Sequence, residues 1–339
     1  MGITHSAPQY NATKRIKWLF FGVVATTLGA IAAWFGVANA IDSQLSTSLE
    51  QHRQAGGQAR CDNQAVRGFP FRFGVFCDAA AFGDGNVSVN LGAVRSAAQF
   101  YSPNHIIVEA DGPLTLHSQD TTMRLAWETA RMAVHRATPL PRNASLTLNQ
   151  PRLEVSNVPP LAAQAVAAHM RTLNETDDRG GEAGDMDIAV QLTTPELAGL
   201  LATGATLPDV TIDLDATVKQ AATRLQAGER DTLVANATIN LHRLAFILDD
   251  DSGLLADGTL TTDNLGRLSG SVDIRLVDVE AVVTALGSAF PAQQPLIGLL
   301  ASLPKSGTNQ DEATLTLSLD AGRASFGLIP LGTLPPLLR

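Results

Sequence analysis

Two hydrophobic patterns divide this chain. The first is an unbroken apolar run from Trp18 to Ile41 (WLFFGVVATTLGAIAAWFGVANAI), with Lys14, Arg15 and Lys17 before it and Asp42 and Glu50 after it. A helix rises about 1.5 Å per residue, so about 20 apolar residues cross a hydrocarbon core of roughly 30 Å. The run therefore predicts a transmembrane helix. The second pattern has period two. Apolar and polar residues alternate at 87–91, 123–127, 144–148, 210–215, 237–241 and, most cleanly, 313–319. Such alternation predicts antiparallel strands with one apolar and one wet face. Turn-forming residues punctuate it at Gly83-Asp84-Gly85-Asn86, Asp111-Gly112-Pro113, 249–253 (DDDSG) and Asp257-Gly258.

Helical pattern is sparse. Pro159-Pro160 followed by LAAQAVAAHMRTL predicts a helix with proline near its first turn. Thr194-Pro195-Glu196 opens a shorter one over LAGLLA, and 279–289 and 291–303 predict two more. Residues 254–289 read as strand, turn at Asn264-Leu265-Gly266, strand and helix. The organisation expected is a polar cytoplasmic tail (1–17), a transmembrane anchor (18–41), and a short helical stalk (42–60) fraying at Gly56-Gly57. An N-terminal β region (61–173), an acidic glycine-rich loop (174–187) and a C-terminal β region with short helices (188–339) follow. The fold class is mainly β (α+β), with antiparallel sheets behind one N-terminal helix.

The basic residues precede the apolar run, which by the positive-inside bias leaves the N-terminus in the cytoplasm and exports the body. Ala38-Asn39-Ala40 also has the small-x-small form of a signal cleavage site. The run exceeds the roughly 7–15 residues of a signal core, which favours a retained anchor, and both readings export the body. A net charge of -9 argues against a nucleic-acid partner and against a polybasic lipid-gripping surface.

In an exported chain the two cysteines, Cys61 and Cys77, predict a disulfide. Histidines stand at 5, 52, 105, 117, 135, 169 and 242, without the spacing of a zinc motif. The acidic 249–251 run lacks the spacing of a calcium loop and reads as a solvated turn. No metal or cofactor is expected, and no nucleophile elbow, phosphate loop or dinucleotide fingerprint appears. Between the cysteines lies Arg67-Gly68-Phe69-Pro70-Phe71-Arg72-Phe73. Phe69, Phe71 and Phe73 at alternate positions predict an apolar stripe on one face of a strand, a candidate contact for an apolar ligand. Pro70, which has no N–H for a ladder, predicts an edge or a bulge.

These strings resemble DUF family 2125, a family of uncharacterised alphaproteobacterial envelope proteins. The matching features are the N-terminal anchor and the two cysteines around Gly68, Phe69, Pro70, Phe71 and Arg72. With them go Ala98-Gln99-Phe100-Tyr101-Ser102-Pro103-Asn104-His105-Ile106-Ile107 with Gly112-Pro113-Leu114, and the C-terminal 322–332 (GRASFGLIPLG) with 334–337 (LPPL). A looser similarity, carried by the strand–turn–strand–helix unit, is to AsmA-like envelope proteins. It implies long curved antiparallel sheets with an apolar groove and a role in handling lipid at the inner membrane. The function expected is a non-enzymatic, inner-membrane-anchored periplasmic protein that binds lipid or another apolar ligand in a β groove and serves envelope homeostasis. The alternative is a structural or adaptor protein of the envelope, with a closed core and a protein partner.

Overall fold

The structure is a computed structural model describing residues 12–118, 121–156, 158–196, 209–229, 233–249, 252–290, 294–302, 304–306 and 311–337. The LAGLLA helix expected after Glu196, most of the N-terminal tail and two of the three aspartates of 249–251 lie outside these residues.

Helix α1 (Ala12–Gln54) makes one rod of 43 residues out of both the apolar run and the polar stalk. It is long and apolar enough to cross a membrane. From Ile16 to Ala33 its side chains are largely exposed. Beyond that point one stripe turns inward: Trp34 and Ala38 are buried, and Leu45, Leu49 and His52 half-buried, at the three-and-four spacing of a single helix face.

An antiparallel meander of long strands follows, each interrupted once. The pairs of segments are β1 (Gln58–Cys61) with β2 (Ala65–Arg67), β3 (Arg72–Cys77) with β4 (Ala80–Gly83), and β5 (Val87–Leu91) with β6 (Val94–Gln99). Next come β7 (Ser102–Ala110) with β8 (Leu114–Ser118), β9 (Thr121–Ala126) with β10 (Thr129–His135), and β11 (Asn143–Asn149) with β12 (Arg152–Val155). Two ladders run side by side as a result. One is β1–β4–β5–β8–β9–β12 and the other β2–β3–β6–β7–β10–β11. Both end on β13 (Val158–Thr172), which pairs with β12 through its first residues and with β11 through its later ones.

The interruptions line up across the sheet as a crease. Asp62 N donates to Ala79 O, Asp111 N to Ala93 O, Glu128 N to Asn149 O and Gln150 N to Gln164 O. Irregularities of this kind bend a strand and increase its twist. Asp111-Gly112-Pro113 was expected to be a hairpin turn and is instead part of the crease, because β7 and β8 continue one another and Pro113 simply withholds an N–H from the ladder.

Past β13 the meander is simpler. It comprises β14 (Met186–Glu196), β15 (Thr211–Val218), helix α2 (Ala221–Gln226), β16 (Thr238–Asp249), β17 (Ser252–Thr262) and β18 (Leu268–Val277). Helices α3 (Val279–Ala289) and α4 (Gln294–Leu300) then precede β19 (Lys305–Ser306), β20 (Glu312–Asp320), β21 (Arg323–Phe326) and β22 (Ile329–Thr333). The acidic segment 174–187 spans the β13–β14 loop and the start of β14, and the two strands pair across it. Asp278 caps α3 by accepting a hydrogen bond from Ala281 N at 3.1 Å, and Glu280 sits favourably in its first turn.

Two further expectations are corrected. The segment after Pro159-Pro160 is strand β13, not a helix. Its alanines favour a helix by propensity, but Val166, Ala168 and Met170 face one side and His169 and Arg171 the other, and ladders on both edges decide the matter. Thr194, Pro195 and Glu196 belong to β14, and the helix expected to follow them lies outside the described residues. Asp257-Gly258 lies inside β17, where a Cβ on Gly258 would stand 2.2 Å from Ser271 O. The glycine there allows close strand approach opposite the bulge between Leu241 and Leu244.

Cys61 and Cys77 form a disulfide with Cα atoms 5.1 Å apart, at the crease end of β1 and of β3. We expect replacement of both by serine to lower unfolding stability by about 3 kcal/mol, read from denaturant titration of the full chain in detergent. Thiol labelling of the unreduced, denatured protein should find no free cysteine.

Candidate functional site

Cross-strand pairing sorts the side chains into two faces. One row of paired positions starts at Phe73 and runs through Ala98, Ile106, Val134, Ala144, Met170, Ile188, Ala216, Leu241, Gly258, Val272 and Leu317 to Phe326. Every member is apolar or glycine. At about 4.8 Å per strand the row covers on the order of 55 Å of sheet. A second row beside it runs from Val108 through Met132, Leu146, Ala168, Val190, Leu214, Leu244, Ala256 and Ile274 to Leu315. This is a continuous apolar floor.

Helices cover parts of that floor. Ala221, Ala222 and Leu225 of α2 pack with Met170, Met186 and Ile188. Val279 and Val282 of α3 pack with Leu276, Ala313 and Leu315. Elsewhere Ile106, Val134, Ala144 and Leu146 are half-buried rather than buried. Two apolar hollows remain. One, of about 270 Å³, is lined mainly by Met132, Leu146, Ala168, Met170 and Met186. The other, of about 260 Å³, lies between α3 and the sheet, among Ile212, Phe246, Leu254, Val282, Leu286 and Phe290. Each falls short of the roughly 300 Å³ at which compact small-molecule sites begin.

The opposite face carries a row that is polar throughout, flanked by rows in which Ile107, Ala133, Ala189 and Leu255 also stand. The polar row runs His105, His135, Asn143, Arg171, Asp187, Thr217, Asn240, Thr259, Ser271, Ser318 and Ser325. Asp187 is the hub. It accepts from Arg171 at 2.6 Å, Thr217 Oγ1 at 2.6 Å and Arg179 at 2.9 Å. Asp185, wholly buried, accepts from Lys219 Nζ at 2.9 Å and from the N–H groups of Gln220 and Glu182 at 2.8 Å. Burial pushes both carboxyls up, but these donors outweigh it and hold both below the ordinary aspartate range. The two aspartates lock the β13–β14 loop onto the sheet. A polar hollow of about 430 Å³ beside Asp187 has His105, His169, Arg171, Arg179 and Asp215 in its walls, with both arginines already paired to carboxylates.

The phenylalanine stripe is redistributed. Residues 69–71 form a turn and only Phe73 is on a strand, so the three rings share no strand face. Phe73 stacks on Trp34 of α1 with centroids 5.5 Å apart, Phe69 meets Trp34 edge-on at 5.5 Å, and Phe71 is 70% exposed. Arg72 opens β3, and its carbonyl accepts from Trp34 Nε1 at 3.0 Å. Gly68 takes a positive φ of 120° where a Cβ would crowd Arg72 O, and Pro70 is exposed in the turn. Tyr101 lies in the β6–β7 turn, and Pro103, Asn104 and His105 begin β7. Asn104 O accepts from Arg136 N, and His105 stacks on His135 at 6.0 Å. Sequence reasoning missed the apolar floor as a whole. Its signal was present in the alternating segments, but the register joining them was not.

The family model described as "Uncharacterized protein conserved in bacteria (DUF2125)" matches residues 34–335. The chain belongs to this family. No curated protein matches it, and no solved structure does. The DUF2125 match begins at Trp34, the residue at which α1 first buries a side chain against the sheet, and so takes in the docked part of the helix and the whole meander.

The depressed aspartates set a pH dependence. Their folded values lie below the unfolded value near 3.9, so their stabilisation is complete above that value and is lost as pH falls through the folded values. Thermal melts should therefore show a midpoint that drops from about pH 5 towards pH 3, with a smaller drop in Asp185→Asn. Asp187→Ala should cost about 2 kcal/mol at neutral pH, because it removes the acceptor shared by Arg171, Arg179 and buried Thr217, although Arg171 keeps Asp177 and Thr217 keeps His242.

Proposed function

We propose that this protein binds lipid, or another elongated apolar ligand, along the apolar floor of its sheet and serves cell-envelope homeostasis without catalysing a reaction. The observation behind this is the unbroken apolar row from Phe73, which touches the anchor helix, to Phe326 near the far edge. An apolar sheet face needs a cover, and the half-buried stretch around Ile106, Val134 and Ala144 is where an acyl chain supplies one. In this reading α1 spans the inner membrane once with its N-terminus in the cytoplasm, and the body stands in the periplasm in the manner of AsmA-like proteins. The basic residues before the run, with no lysine or arginine after it until Arg53, support that orientation.

An adaptor role is favoured by one feature, the C-terminal hairpin. Leu328, Ile329 and Leu331 are exposed around the edge strand β22, a surface a partner protein would cover.

Native mass spectrometry of the full chain released from bacterial membranes separates the two readings. We expect bound lipid on the wild type and at least about tenfold less on Val134→Asp, which puts a charge into the floor. Lipid-free wild-type protein that retains a protein partner would establish the adaptor instead.

A further inference from the structure

Phe71, Phe100 and Tyr101 are 70%, 65% and 74% exposed, although they belong to two separate turns. The turns are joined, because Phe100 N donates to Phe71 O at 2.9 Å. Behind them Phe69 and Phe73 hold Trp34, and Phe73 meets Phe100 at 6.4 Å. Trp34 is where α1 leaves the protein, and the helix from Ile16 to Ala33 rises about 27 Å, close to a bilayer core. A helix held this way cannot enter a bilayer without bringing the two turns to the same surface.

We infer that the turns 69–71 and 100–101 form an aromatic rim that seats in the interface of the bilayer crossed by α1. The occupant of this surface is phospholipid. Continuity with the anchor selects it, since Phe69, itself 49% exposed in the first turn, packs on Trp34 of the membrane helix, and Phe73, which also holds Trp34, meets Phe100 of the second turn. Tyrosine settles at headgroup level, and phenylalanine buries at the boundary between headgroups and acyl chains. The rim leaves Phe73, the first rung of the apolar floor, next to the leaflet. The inference rests on the reading of α1 as a membrane span and is independent of whether the floor binds lipid.

The test uses the full chain, whose native cysteines are paired. A single cysteine is introduced as Phe71→Cys, Phe100→Cys or, for comparison, Thr121→Cys at the opposite end of the long strands. Each is labelled with an environment-sensitive nitrobenzoxadiazole dye and reconstituted into vesicles of phosphatidylethanolamine and phosphatidylglycerol. Labels at 71 and 100 should emit to the blue of the label at 121 and be quenched about threefold more strongly by lipids carrying a shallow nitroxide. Flotation with the vesicles reports insertion of α1 separately. Protein that floats while labels at 71 and 100 emit as the label at 121 does overturns the rim and leaves a protein as its occupant. Protein that does not float overturns the anchor and the rim together, whereas lipid loading is read in the mass-spectrometric experiment.

Discussion

An antiparallel sheet with one long, mainly apolar face must hide that face, and the rest of this molecule is arranged around that requirement. The usual solution is a second layer. Here α1 covers the start of the floor, α2 the ends of the central strands, and α3 with α4 the strands near the C-terminus. Between them the floor is shallow and half-covered. Burial of apolar area drives folding at roughly 25 cal/mol per Å², so an extended apolar ligand on the remaining stretch would add to stability by the same physics as the helices do.

The crease explains how one meander accommodates so many strands. Strongly twisted open sheets rarely exceed about ten strands without curling or splitting. This one breaks each early strand in the middle, and neighbouring breaks bond to one another so that no ladder is left frayed. The disulfide sits on the crease, and α1 lies along the edge formed by β1 and β2. There Gln64 donates to Asp42 and His52 bonds Gly83 O at 2.8 Å. The first strand edge is covered in this way against pairing with another chain.

The polar face works by a different economy. Exposed pairs such as Arg131 with Glu109 contribute little individually. The buried aspartates matter more, because each would be costly without its donors and each has them. They tie the loop after β13 and the start of α2 to the strands, so the loop that interrupts the meander is locked onto the sheet it connects.

The long apolar helix, the strands of period two, helix α3 and the paired cysteines were all legible in the sequence, because each depends on residues close together in the chain. β13 was not. Its alanines favour a helix by propensity, and only ladders on both sides made it a strand. The phenylalanine string misled in the same way, since alternate spacing implies a shared face only within a strand, and the chain turns at 69–71. Sequence alone determined which residues alternate and therefore that each strand has an apolar side. Tertiary structure alone decided that these sides join in register into one floor that starts at α1, because pairing register is a long-range property that no single segment specifies.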